Sequence, residues 1–416
     1  MQRLLIIGYV WPEPASSAAG ARMMQLIEFF SKKNYRITFA TTANETKNMV
    51  ALNTLGMQVE KIKLNDPEFD IFLQNLMPDI VLFDRFMIEE QFGWRVDHIC
   101  PNAIKILDTE DLHFLRNARQ LSFQKQSNPE EIYFNSDLAK REIAAIYRCD
   151  LSLIISEAEQ QLLISQFQVP GNIIFYLPFL LDKISKITKN GYLPFEERKD
   201  FISIGNFLHE PNWNAVLYIK EKIWPDLRKM LPEAKMQVYG AYPSQKVFNL
   251  HNPKENFLVN GWAKSSQEVM KNARICLAPI QFGAGLKGKL VEAMQQGTAS
   301  VTTSIGAEGI NGNLNWNGFI TDSDKDFIMH SVALYTNREL WNEQQKFGFE
   351  IINKRFDRDL HEKRFSEKLE EIKFDLNIHR KGNFTGKMLK HHLHRSTYFM
   401  SRFIEEKNKI RKPPSA

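Results

Sequence analysis

The chain has 416 residues, 43% of them apolar and 25% charged, with 30 Phe to supply core material. That is more than one average core holds, so two globular domains are expected, and no apolar run approaches the roughly 18 residues of a membrane span. The formal charge of +5 hides an asymmetry, because Asp375–Ala416 holds ten Lys/Arg against three Asp/Glu; the remainder is slightly acidic, which excludes a nucleic-acid groove running through the fold.

Met1-Gln2-Arg3 leads directly into Leu4–Gly8, a run too short for a signal-peptide core and therefore read as a first strand. Cys100, Cys149 and Cys276 are scattered without metal-ligand spacing, so reduced buried thiols and a cytoplasmic location are expected. A small-residue loop ending Ser17-Ala18-Ala19-Gly20 precedes a helix over Ala21–Lys32. Strands follow at Arg36–Thr42, Met57–Leu64, Asp79–Phe83, Ile104–Leu107 and Leu151–Ile155, with helices at Phe69–Leu76, Glu131–Tyr147 and Glu157–Phe167. Short apolar strands alternating with helical patterns predict an α/β, doubly wound parallel sheet.

From Leu180 to Asp200 the pattern lapses into Lys, Gly, Pro and Glu, and a domain boundary is placed there, dividing 1–184 from 185–360. The alternation restarts with Phe201–Ile204, a helix from Pro211 to about Met230 bent at Pro225, then strands Met236–Tyr239, Phe257–Val259, Ile275–Ala278, Ser300–Thr303 and Gly318–Thr321. Helical sequence then runs from Asp324 to about Lys373, and residues 361–416 form a basic helical extension.

Pro279–Ile310 is the most informative stretch. A strand ends in the loop Gly283-Ala284-Gly285, a helical pattern from Leu286 stops at Gly297, and a second strand begins at Ala299. Strand, glycine loop and helix point backbone N–H groups at an anion. Lys287 and Lys289 sit in the first turns, where the helix dipole alone would favour acidic residues, so a negatively charged ligand is expected. An ordinary strand-to-helix turn with solvated lysines is the competing reading.

The segment Gly283-Ala284-Gly285-Leu286-Lys287-Gly288-Lys289-Leu290-Val291-Glu292-Ala293-Met294, with Gly297 and Val301-Thr302-Thr303, resembles the donor-site signature of bacterial retaining glycosyltransferases of family four. Gly205-Asn206, Pro211-Asn212-Trp213-Asn214-Ala215 and Gly306-Ala307-Glu308-Gly309 fall in the same order as in that family. The resemblance implies a GT-B fold, two Rossmann-like domains facing across a cleft, with donor on the second and acceptor on the first. It implies a nucleotide-diphosphate-sugar as co-substrate and no other cofactor. Gly283, Ala284, Gly285 and Leu286 would contact the diphosphate through the backbone, Lys289 and Lys287 would donate charged hydrogen bonds to it, and Glu292 would accept from the ribose diol. Two departures stand out: Ala284 occupies the place of a glutamate that reads the donor sugar in many relatives, and Asn206–Asn212 lacks their Arg and Lys.

Prearranged dipoles and lysines could stabilise the departing diphosphate without a metal; the one Asp-x-Asp, Asp322-Ser323-Asp324, is read as a helix N-cap. On the acceptor side, Gly20 would permit close backbone approach, and Asp108, Glu110, His113 and Arg116 gather after a strand C-terminus, with Arg85 after another. Among these, His113 and Asp108 join Lys289 as the expected catalytic groups, His113 or Asp108 positioning or deprotonating the acceptor hydroxyl of a saccharide or lipid-linked saccharide. In the tail, Leu389, Leu393, Ser396, Met400 and Phe403 keep helical spacing; that helix could pack on the first domain, rest on anionic lipid from the inner face of the membrane, or bind a partner. His391-His392-x-His394 lacks acidic or cysteine companions and is discounted as a metal site. A nucleotide-sugar epimerase and a non-catalytic nucleotide-sugar-binding protein are the alternatives.

Overall fold

The computed structural model describes residues 1–185 and 191–411. The centre of the expected boundary, 186–190, the end of the tail, 412–416, and the side chains of His394, Ile410 and Arg411 lie outside the described residues. Seven strands form the first sheet: β1 (Arg3–Gly8), β2 (Arg36–Thr41), β3 (Gln58–Lys61), β4 (Ile80–Asp84), β5 (Ile104–Asp108), β6 (Leu151–Ile154) and β7 (Ile174–Tyr176), in the order β3-β2-β1-β4-β5-β6-β7. Six form the second: β8 (Lys199–Ile204), β9 (Met236–Tyr239), β10 (Phe257–Gly261), β11 (Ala273–Ala278), β12 (Ala299–Thr302) and β13 (Gly318–Ile320), in the order β10-β9-β8-β11-β12-β13. Each pairing in these orders is parallel. Both sheets reverse direction of winding once, between β1 and β4 and between β8 and β11. In such sheets the crevice at that reversal, beyond the strand C-termini, is where ligands bind.

The longer helices of the first half are α1 (Ala18–Lys32), α2 (Glu68–Leu76), α3 (Phe86–Ile99), α4 (His113–Lys125), α5 (Pro129–Asn135), α6 (Asp137–Arg148) and α7 (Glu157–Phe167). Those of the second are α8 (Glu210–Tyr218), α9 (Trp224–Met230), α10 (Ser266–Asn272), α11 (Gly288–Gln295), α12 (Asp324–Thr336) and α13 (Arg338–Arg355), followed by α14 (Arg358–Phe374), α15 (Leu376–Lys381) and α16 (Phe384–Arg411). Strand alternation sends side chains to opposite faces. Leu5, Ile7, Val81 and Phe83 therefore pack under α2–α6, whereas Leu4, Ile6, Ile80 and Leu82 pack against α1 and against Phe365, Leu369 and Ile372 of α14. The chain thus returns from the second domain to complete the core of the first.

Several local expectations are corrected. The helix read over Glu131–Tyr147 is two, because the Ser136 hydroxyl caps a new start by accepting from Leu138 N at 3.1 Å. The run Asp324–Lys373 is three helices, broken where Asn337 caps Leu340 N at 3.0 Å and again at Asp357. The helix after the glycine loop begins at Gly288, not Leu286. Pro225 does perturb its helix: Ile219–Ile223 is π-helical just before it, since proline has no N–H to continue the ladder. Helices α3, α4 and α10 and strand β7 were not anticipated. Among the described residues no helix is long and apolar enough to cross a membrane.

Candidate active site

Two helix N-termini converge between the sheets. Helix α1 is capped by Ser17, whose hydroxyl accepts from Gly20 N at 3.0 Å, and α11 starts at Gly288. A Cβ built on Gly288 would stand 2.6 Å from the Ala18 Cβ, so glycine is what lets the two termini meet. Neither helix carries an acidic residue in its first turn, so their dipoles stand uncompensated there and favour an anion.

Lys289, in the first turn of α11, lies beside this point. Its Nζ donates to Asn212 Oδ1 at 2.8 Å, a bond that spans the winding reversal from the β11 side to the β8 side. Burial pushes its pKa down to about 8, and no carboxylate pairs with it among the described residues. Glu292 is one turn further along the same face; it accepts from the Ser266 hydroxyl at 2.5 Å, and burial raises its pKa. Lys287 behaves differently. It turns back into its own loop, donating to Gly285 O at 2.9 Å, and is buried; desolvation lowers it to about 8 despite Glu308 nearby.

The glycine loop is clamped from the first domain. Gly285 N donates to Glu159 Oε1 at 2.8 Å, and Gly285, at φ +62°, has a conformation suited to glycine and lies against Asp111. Arg119 of α4 donates to Gly283 O at 2.9 Å and makes two bonds of 2.7 Å to Glu308. Glu308 stays below its ordinary pKa against its burial because Arg119 pairs with it. Ala284 packs toward the core of the first domain, and Leu286 is buried with Ile155 and Phe179 in an apolar cluster that joins both domains. Tyr242 OH reaches Glu13 at 2.8 Å, a further link across the cleft. Glu159, almost fully buried, has its pKa raised to about 7 by burial and by Asp111, and its Oε2 has no hydrogen-bond partner among the described residues.

On the first-domain wall the edge of β4 and β5 presents Asp84 opposite Asp108. Asp108 is held by Arg22 Nε and Nη2 at 2.8–3.1 Å, both residues fully buried. Arg85 sits at φ +72°, an uncommon conformation for a non-glycine residue, and stacks over Tyr9 with its guanidinium 3.6 Å from Asp84. Glu110, at φ +63°, is buried beside Asp108, and desolvation followed by that charge raises its carboxyl well above the usual range. His113 and Arg116 both approach Asp111, His113 Nε2 at 3.6 Å. Burial lowers His113 to about 4, so its ring is neutral at pH 7, and it meets Phe86 edge-on. His209, at the start of α8, is close enough to act on Asp111 and His113.

Sequence reasoning therefore gathered two groups that the fold sets on facing walls: Lys289 with Glu292, and Arg85, Asp108, Glu110, His113 and Arg116. Gly20 is set apart, its missing side chain making room for the Glu13 backbone. Residues not singled out include Arg22, Asn212, Arg119, Glu159 and His209. Asn212 alone carried a signal, its position in the Pro-Asn-Trp-Asn-Ala run. The Asp-x-Asp is engaged elsewhere: Ser323 caps α12, Asp322 accepts from Ser304 N at 2.9 Å and Asp324 from Tyr218 OH at 2.5 Å.

Residues 198–337 match the model of the family described as Glycosyl transferases group 1. A curated relative, an uncharacterized 44.6 kDa protein in the cps region of Klebsiella pneumoniae, is 24% identical over 215 residues, 50% of this chain. The chain spans about half the length of that relative, 53%. Among solved structures, a mutant of S. aureus TarM in complex with fondaparinux, alpha-GlcNAc-glycerol and UDP superposes with a TM-score of 0.67 at 11% identity, covering 90% of this chain and 100% of that one. Sucrose-phosphate synthase from Thermosynechococcus elongatus gives 0.66 at 12% identity, covering 89% and 99%. Anabaena HepE in complex with UDP and glucose gives 0.63 at 14% identity, covering 89% and 100%. The chain thus has the two-domain GT-B fold, and its second domain is similar to the group 1 glycosyl transferases.

Proposed function

We propose that the protein transfers a sugar from a nucleotide-diphosphate-sugar to an acceptor hydroxyl, with retention at the anomeric carbon and without a metal ion. Lys289 supports this reading most: a buried ammonium with no carboxylate partner among the described residues, beside two converging helix N-termini, suits a diphosphate. The diphosphate would lie where α1 and α11 meet, with the Gly283–Leu286 loop that Glu159 and Arg119 hold, and the charge of Lys287, behind it, and Glu292 would accept from the ribose diol. In the reaction the bond from anomeric carbon to diphosphate oxygen breaks, the acceptor oxygen takes its place on the same face, and the acceptor proton leaves with the diphosphate or through a nearby base. Lys289 and the helix dipoles stabilise the charge on the leaving group. Neutral His113 would position the acceptor hydroxyl, with Arg85, Glu110 and Arg116 lining its wall and Asp108 held in place by Arg22. UDP and sugars in the neighbours' complexes, and the relative's cps region, favour a saccharide or lipid-linked saccharide acceptor on the way to a polysaccharide.

A panel of nucleotide-sugars, with and without acceptor extract, tests the proposal by nucleoside diphosphate release. Acceptor-dependent release that is lost in Lys289→Ala is expected. An isomerised sugar nucleotide without release would mean an epimerase, and bound nucleotide with neither outcome a binding protein.

A further inference from the structure

Helix α16 has two unlike faces. Its inner face is fixed to α3 and α6: Ser401 and Glu405 engage the buried Arg95, Lys390 reaches Asp97 at 3.2 Å, and Tyr398 meets Trp94 edge-on. The apolar positions read from spacing divide between the faces, since Leu389 and Leu393 are half-buried whereas Met400 and Phe403 are exposed. The outer face carries a ridge of Phe384, Met388, His392, Arg395, Phe399 and Phe403, separated by four, four, three, four and four residues and therefore on one line of the helix. The line is roughly 28 Å long at 1.5 Å per residue. Phe384, Phe399 and Phe403 are 68%, 62% and 64% exposed, which is unusual for side chains this large on a helix so firmly anchored.

We infer that this ridge docks the protein on an anionic lipid surface. Lys381, Lys387, Arg395 and Lys407 are exposed on or beside it; of the two carboxylates of the helix, Glu405 turns inward to Arg95, and Glu406, on the ridge side, is paired with Lys409, so the exposed charge is net positive. Aromatic side chains on a basic helix face enter the boundary of headgroups and acyl chains, and the lysines and arginine lie among anionic headgroups. The ridge is a single convex helix face. A second copy docking through it about a two-fold axis would set these cations against one another. Because α16 rests on α3 and α6, docking holds the first domain at the lipid surface. The inference does not depend on the donor site.

Co-sedimentation of the full chain with vesicles of phosphatidylcholine, alone or mixed with phosphatidylglycerol, tests it. Binding to the mixed vesicles is expected, weakened by salt, and reduced about tenfold or more in Phe399→Ser/Phe403→Ser and in Lys387→Glu/Arg395→Glu. Circular dichroism and nucleotide-induced stabilisation should stay unchanged in both variants, separating lost docking from lost folding or a failed donor site. Equal binding to neutral vesicles, or wild-type binding by both variants, would overturn the inference. So would a dimer in sedimentation velocity that disappears with the phenylalanine substitutions, which would assign the ridge to a second copy.

Discussion

At the scale of residues, two lysines two positions apart have different duties. Lys287 ties its own loop together and Lys289 faces the cleft. Lys289→Ala should therefore weaken donor binding by about 1–3 kcal/mol, the worth of a charged hydrogen bond, whereas Lys287→Ala should show first in thermal stability; calorimetry of donor binding beside a melting curve separates them. A pH dependence follows from Lys289. Its folded pKa, about 8, lies below its ordinary 10.5, so the folded protein releases this proton first, and the burden of burying the charge lifts as pH rises from 8 to 10.5. A diphosphate binds the protonated form, so donor affinity should be level up to about pH 8 and decline above it. An affinity still level at pH 9.5 would remove Lys289 from the diphosphate site. Glu159 has the opposite displacement: its pKa of about 7 against 4.5 means that stability falls as pH rises from 4.5 to 7. Glu159→Gln keeps the acceptor for Gly285 N without the charge, and should raise the melting temperature at pH 8 and leave it nearly unchanged at pH 4.5. The lysines, Glu292 and the acceptor-edge residues were legible in the sequence because each follows a strand end or opens a helix. Arg22, Glu159 and Arg119 were not, because their partners lie 86, 126 and 189 residues away.

Elements decide where those residues meet. Most of the parallel strands could be read directly, since strands buried on both faces are continuous apolar runs; β7, three residues long, could not. Helices α3 and α4 could not. The inner side of α3 carries Glu89 and Arg95, satisfied by Arg148 and by Asp70 and Glu405, so charge interrupts its apolar stripe. Helix α4 buries Phe114, Leu115 and Ala118 but spends Arg116 and Arg119 on the cleft. Amphipathic patterning presupposes that charge faces solvent, and both helices turn part of theirs inward. The closest approach between elements, α1 to α11, rests on Gly288. Gly288→Val should force the helix termini apart and abolish turnover while leaving the helical circular dichroism intact. Wild-type turnover in this variant would mean that the two termini need not meet.

Across the whole molecule, the cleft is held by contacts between distant parts of the chain: Glu159 to Gly285, Arg119 to Glu308, Tyr242 to Glu13, and Arg355 to Glu157 at 2.7 Å. The return of α14 to the first sheet makes the tail part of the first core, so the alternation of halves predicted two sheets but not this shared core. Arg95 anchors the far end. Arg95→Ala leaves Glu405 and Asp70 with only the half-exposed Arg402 as a cationic neighbour, and should cost about 1–3 kcal/mol, the range for a lost hydrogen bond to a charged group; limited proteolysis within Phe384–Arg411 would detect the released helix. The central claim concerns the opposite side, where α1 and α11 meet at Lys289 and Glu292. Thermal unfolding with a panel of nucleoside diphosphates tests it most directly, since a ligand bound only by the folded state raises the melting temperature. The account predicts that one nucleoside diphosphate stabilises the wild-type chain, and that Lys289→Ala and Glu292→Ala each lose most of the shift. Stabilisation undiminished in both variants, or absent with every nucleotide, would contradict it.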